Sequence, residues 1–145
     1  MLYNNISPVA AANIKVAQYI LSETGTEESF EHFADDIVLE FPYAPSLNMP
    51  DRFEGKEAAT TYLRQMLTQL KGLKLHSIQS YAAEGDPNII INEYLGDAQT
   101  SGGNTYTQSY MGKMVFRDGK VILLREFWNP MAVVDATNGK FDGNV

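Results

Sequence analysis

Residues 105–129 read TYTQSYMGKMVFRDGKVILLREFWN. Two runs rich in β-branched and aromatic residues flank Arg117-Asp118-Gly119, the composition of a β-hairpin. The turn admits two readings. A two-residue type I′ turn at Asp118-Gly119 pairs Arg117 with Lys120. A type I turn with Gly119 in the left-handed region, as a bulge, pairs Phe116 with Lys120. We favour the second. It gathers Tyr106, Tyr110, Gly112, Met114 and Phe116 on one face with Ile122, Leu124, Glu126 and Trp128, and leaves Lys113 and Arg125 to share the other. The first reading mixes Lys113 with Leu124 and Arg125 with Gly112.

Working outward, residues 88–97 and 73–83 read as two further strands with a turn at 84–87, and 101–104 turns the chain into the hairpin. Residues 37–41 form a strand broken by Pro42, and 43–53, with Pro45 and Pro50, reads as a loop. Ser7-Pro8 opens a first helix, in which Val9, Ala12, Val16, Ala17, Ile20 and Leu21 recur at helical spacing and which Gly25 stops. A short second helix carries Glu27 and Glu28 in its first turn, with Phe30 and Phe33 as its buried edge. The third spans about 56–71. Its apolar stripe includes Ala59, Tyr62, Leu63, Met66 and Leu70, and Gly72 ends it. Helix, helix, strand, helix and then four strands predicts an α+β fold, with helices segregated to one side of an antiparallel sheet. After Pro130 the chain is briefly apolar (Met131, Val133, Val134), and from about 135 it reads as a loose polar tail on a single domain spanning 1–145.

The 145 residues carry 11 Lys and Arg against 18 Asp and Glu, a net charge of −7. That length suits one domain. No basic stripe is present to neutralise phosphates, so no nucleic-acid partner is expected. The apolar runs are too short to cross a membrane. The absence of cysteine removes disulfides, a thiolate nucleophile and Cys-ligated metal, and fits a reducing compartment. No basic start precedes an apolar stretch at the N-terminus, so the expected location is cytoplasmic.

Within the favoured register Glu126 is the odd residue, a carboxylate among Leu124, Trp128, Tyr110 and Met114. Burial of that kind raises a carboxyl pKa into the range useful for proton transfer. The other face is apolar too, at Met111, Val115, Val121, Leu123 and Phe127. It needs its own cover, for which a second subunit is the simplest candidate, so a homodimer is expected.

FADDIVLEFPYAP, FEGKEAATTYL and FRDGKVILLREFWNP resemble the SnoaL-like and ketosteroid-isomerase-like branch of the nuclear transport factor 2-like superfamily, over most of the chain up to Pro130. The terminal REFWNP is similar to the last strand of the phenazine-biosynthesis A/B proteins. The resemblance implies a curved antiparallel sheet with helices packed on its concave side, forming a conical pocket (a cystatin-like cone), and a dimer. It also assigns positions. The general-base Asp of ketosteroid isomerases falls at Phe41, their oxyanion-hole Asp at or near Gly112, and their helix-one Tyr nearest Tyr19. With the two acids missing, steroid-type enolisation is not expected. The Glu of the phenazine A/B strand maps onto Glu126, and the His they pair with it maps onto Tyr62, a hydrogen-bond donor but a poor proton shuttle at neutral pH.

The candidate catalytic residues are therefore Glu126, Tyr62 and Tyr110. The candidate ligand-binding residues are Phe41, Tyr43, Met66, Tyr94, Met114 and Trp128, in a mainly apolar pocket. Each has a plainer reading: Glu126 as an anchor for backbone N–H groups or Tyr62, the aromatic and Met side chains as core. His32, in an acid-rich helix, and His76, in a strand, have no second ligand at metal spacing, and neither a metal nor a cofactor is expected. Asp35-Asp36 reads as a solvated helix end, and Asp51-Arg52 as a surface ion pair or a gate at the pocket mouth. Arg125 and Glu93 read as interface or cross-strand charges, and Gly102-Gly103 as a turn. The expected function is that of a cofactor-free isomerase, lyase or cyclase acting on an apolar or aromatic small molecule. The alternatives are a ligand-binding protein with the same pocket or a scaffold dimer.

Overall fold

The computed structural model describes residues 6–139. Helices α1 (Pro8–Ser22) and α2 (Glu27–Phe30) lead into strand β1 (Phe33–Glu40), a 3-10 turn at Ala44–Leu47 and the short strand β2 (Arg52–Glu54). Helix α3 (Lys56–Gln69) follows, then β3 (Leu70–Ala83), β4 (Asp86–Thr100), β5 (Thr105–Arg117), β6 (Lys120–Trp128) and a last helix, α4 (Pro130–Ala136). The six strands form one sheet in the order β2-β1-β6-β5-β4-β3. Neighbours are antiparallel except at one seam, where β1 runs parallel to β6. The fold is the α+β cone that the sequence predicts: α1 and α3 pack on the concave face over a core that includes Ile37, Leu39, Ile90, Met114 and Val121.

The helix starts follow local chemistry. Ser7 caps α1, its hydroxyl accepting from the Ala10 N–H at 3.1 Å, with Pro8 in the first turn. Thr26 caps α2 in the same way through the Ser29 N–H. Helix α3 ends earlier than expected. Leu70 already pairs with Thr100, and Gly72, at φ 66°, lies within β3 where its register slips between Lys71 and Lys74. A glycine that allows a left-handed residue marks a bulge here rather than a helix end.

The last hairpin has the expected face and an unexpected turn. Asp118 (φ 51°) and Gly119 (φ 79°) are both left-handed, and Arg117 pairs with Lys120. That is the type I′ turn we had set aside. The extra residue sits two positions further on. Phe116 pairs with Val121 but Val115 pairs with Leu123, so Ile122 is the bulge. Beyond it the pairs Met114–Leu124, Gly112–Glu126 and Tyr110–Trp128 hold, and paired residues share a face. Two residues were misassigned: Ile122, expected inside, is the bulge, and Val121, expected on the outer face, is fully buried and takes its inner position.

Other differences are local. Asp35 and Asp36 belong to β1, not to a helix end, and Asp36 takes a two-pronged contact from Arg117 at 2.6 and 3.0 Å. His32 lies in the turn after α2, edge-on to Tyr19. Arg52, in β2, forms surface ion pairs with Glu40 of β1 and with Glu54, not with Asp51 as expected. Helix α4 occupies part of a stretch that the sequence reading left without an element. Its start follows Asn129-Pro130, a cap and first-turn proline, with Asn129 Oδ1 accepting from the Met131 N–H at 3.0 Å. Most of the expected loose tail, residues 140–145, lies outside the described residues.

Candidate active site

Glu126 sits at the floor of a cavity of about 480 Å³ between the concave sheet face, α3 and α4. Its placement depends on the glycine opposite. A Cβ at Gly112 would lie 3.3 Å from the Tyr94 hydroxyl oxygen, and in the open space Tyr94 reaches across from β4 to donate to Glu126 Oε2. Gly96 does the same for the next ring, because a Cβ there would come within 2.8 Å of Tyr110 Cε2. The two rings stack, 4.9 Å apart and 13° from parallel.

Among the described residues no donor reaches Glu126 Oε1. The surface that Glu126 keeps opens into the cavity and into a small void of about 40 Å³ beneath α1 and α3. Burial pushes its pKa from 4.5 up to about 7, with the Tyr94 hydrogen bond pulling the other way. The residue is therefore poised to take or give a proton near neutrality.

Tyr62, from α3, is nearly buried and stacks on Phe53 at 4.1 Å, with Phe41 tilted beside it at 5.5 Å. Its hydroxyl has no partner among the described residues. Burial, and then the Glu126 charge, push its pKa up to about 12, so it stays a protonated donor. Tyr110 is raised for the same first reason. Its hydroxyl meets that of Tyr106 at 3.4 Å, which in turn accepts from Gln108 Nε2 at 3.0 Å. Gln108 also grips the backbone of Asn129 from both sides, accepting from its N–H at 2.7 Å and donating to its carbonyl at 2.9 Å. The start of α4 is thereby fixed to β5.

Of the nine candidates, Glu126, Tyr62, Tyr110, Phe41, Met66 and Trp128 line this cavity. Tyr94 stands behind the wall, holding Glu126. Met114 faces inward but is packed under the floor, 2% exposed. Tyr43 is misplaced: Pro42 turns the chain, and the ring lies exposed on the outer side against Phe127, at 5.4 Å. Tyr19 is also away from the cavity, on the outer surface of α1.

The sequence reading missed the rim. Gln69, the β4–β5 turn (Thr100, Ser101, Asn104) and the end of α4 (Thr137, Asn138) give the mouth a polar collar over aromatic walls that include Tyr106. Asn104 Nδ2 donates to the Ala136 carbonyl at 2.9 Å, tying turn to helix. The signal for this collar was present in the Asn129-Pro130 helix start. Among the described residues no group of three or more His, Asp or Glu side chains could hold a metal, and no helix is long and apolar enough to cross a membrane.

A curved sheet closed by helices over an acid-floored cavity defines an α+β cone. The SnoaL-like domain family matches residues 21–124, and the chain belongs to that family. It is 34% identical to an uncharacterised PhzA/B-like protein of Pseudomonas aeruginosa over 131 residues, 89% of this chain and 91% of that one. Among solved structures, a phenazine biosynthesis-related protein (PhzB2) of Pseudomonas aeruginosa superposes with a TM-score of 0.82 at 17% identity, covering 97% of this chain and 89% of that one. TerC, co-crystallised with polyporic acid, superposes with a TM-score of 0.71 at 16% identity, covering 91% and 99%.

Proposed function

We propose that this SnoaL-like protein is a cofactor-independent isomerase, lyase or cyclase acting on an apolar or aromatic metabolite. Glu126 is the acid/base, and Tyr62 and Tyr110 donate hydrogen bonds to the reacting molecule. The observation that carries this reading is the unequal treatment of the Glu126 oxygens. Oε2 is held by Tyr94, while among the described residues no donor reaches Oε1, which is left to a bound molecule. A carboxyl titrating near 7 can remove a proton from a weakly acidic carbon and return it elsewhere, while a tyrosine hydroxyl stabilises the charge that develops on oxygen. The small molecule bound by TerC supports reading the cavity as a ligand site.

Glu126→Gln tests the assignment. It is expected to abolish turnover or alter the binding of aromatic ligands while leaving thermal stability unchanged or higher. A marked loss of stability with no change in any ligand's binding would make Glu126 an anchor instead.

A second reading, a ligand-binding protein without turnover, is favoured by one observation. Tyr62 and Tyr110 stay protonated at neutral pH, so Glu126 has no second shuttle beside it in the cavity. Conversion of a candidate substrate, followed by NMR, separates the two.

We also infer a homodimer through the outer sheet face around Met111, Val115, Leu123 and Phe127. The exposed Met111, Leu95, Tyr81 and Tyr43 on that side support it. Light scattering that gives a monomer at micromolar concentration would count against it.

A further inference from the structure

Among the described residues the cavity holds one acid and no base. Their lining of it contains no Lys, Arg or His; apart from the protonated hydroxyls of Tyr62, Tyr106 and Tyr110, Glu126 is the only ionisable group among them. Around that carboxylate stand five aromatic side chains, Phe41, Tyr62, Tyr106, Tyr110 and Trp128. Tyr62 has one face covered by Phe53 and Tyr110 one face covered by Tyr94, so each offers the cavity its other face or its hydroxyl edge. The polar groups at the rim, such as Gln69, Asn104 and Asn138, are uncharged.

Aromatic faces carry negative potential and attract cations. A buried carboxylate without a cation is incomplete, and an ionic partner with good geometry compensates its lost hydration. An anionic ligand would meet the opposite: no positive group to pair with, a carboxylate in the same enclosure, and a protein of net charge −7 repelling it on approach. A neutral ligand would leave the carboxylate as it is, half-protonated near neutrality.

We propose that the cavity selects a cationic amine carrying an apolar or aromatic body, seated with its ammonium between the aromatic walls and Glu126. This rests on the reading of the cavity as a small-molecule site and adds the charge of what enters it. The amine is the counter-ion that the described residues do not supply, and the polar rim faces whatever neutral groups lie at its other end.

Three probes of one shape separate the possibilities: phenyltrimethylammonium, tert-butylbenzene and benzenesulfonate, with positive, neutral and negative tetrahedral heads. Trp128, the single tryptophan of the chain, lines the cavity and reports occupancy by its fluorescence. At pH 8 the cation is expected to bind at least about tenfold more tightly than the neutral probe, and the anion not at all. Glu126→Gln is expected to erase the difference between cation and neutral probe. The wild-type comparison stands without the variant should the latter fail to fold. Equal or tighter binding of tert-butylbenzene, or a cation preference that survives in a folded Glu126→Gln protein, would overturn the proposal. In either case, neutral aromatic ligands still binding at Trp128 would leave the small-molecule reading intact. If none of the three probes perturbs Trp128, both fail together.

Discussion

Glu40 and Glu126 lie on adjacent strands, and the Cα partner of Glu40 is Arg125, the residue before Glu126. The two carboxylates nevertheless live in opposite settings. Glu40, on the outer face, is gripped by Arg125 Nε at 2.6 Å and by Arg52. Glu126, on the inner face, has one tyrosine hydroxyl and, among the described residues, no cation. At Glu40 and at Asp36, where a carboxylate joins strands on the outer face, its partners are arginines. On the function proposed above, the lack of a counter-charge inside among the described residues fits a group kept available for a ligand.

The largest effect expected to sharpen this contrast is on the pH dependence of stability. Between 4.5 and about 7 folded Glu126 retains a proton that the unfolded chain has lost, so stability falls as pH rises through that window and levels above it. Glu126→Gln lacks that slope. Its advantage over the wild type should grow from nothing near pH 4 to about 3 kcal/mol at pH 8, read from urea denaturation at the two pH values. A constant difference would place Glu126 alongside Glu40.

Gly96→Ala comes next. The added methyl collides with the Tyr110 ring, which is stacked on Tyr94 and cannot simply swing aside. A loss of about 1–3 kcal/mol is expected in thermal denaturation. Indifference would mean that the inner face is looser than its stacked rings imply.

Tyr94→Phe removes the hydrogen bond that favours the ionised form of Glu126, so the carboxyl pKa should move further up, at a cost of about 1 kcal/mol. Carboxyl carbon NMR follows the titration, and a downward shift would contradict the assigned direction.

The smallest effect belongs to the outer glutamate. Glu40→Gln should cost about 1 kcal/mol or less and do so less in high salt, because its arginine partners are partly exposed. A larger, salt-independent loss would make the outer cluster the more critical of the two.

How far the sequence revealed this contrast can be argued residue by residue. The inward set of the last hairpin was legible because alternation writes it into the chain: Lys113 and Arg125 cannot share a face with the core. The turn was misread because the two hairpin types differ in the φ of a single aspartate, which composition does not resolve. Tyr43 was misplaced because a proline breaks the alternation that had located Phe41. The parallel seam between β1 and β6 joins residues some eighty positions apart, and no local pattern encodes it. The rim went unread because it is assembled from the end of one helix, a turn and another helix, each unremarkable alone.

Ile122 carries a consequence of its own. On β6, Val121 points inward and so do the even-numbered residues from Leu124 onward, and the change of parity is the work of that one supernumerary residue. Carried straight through from the turn, the count would send Arg125 into the cavity and Glu126 to the surface. The electrical sign of the interior is thus a matter of odd and even. A lineage that moved the bulge past Trp128 would exchange an acidic chamber for a basic one by register alone, Arg125 taking the place of Glu126 without a substitution in the strand.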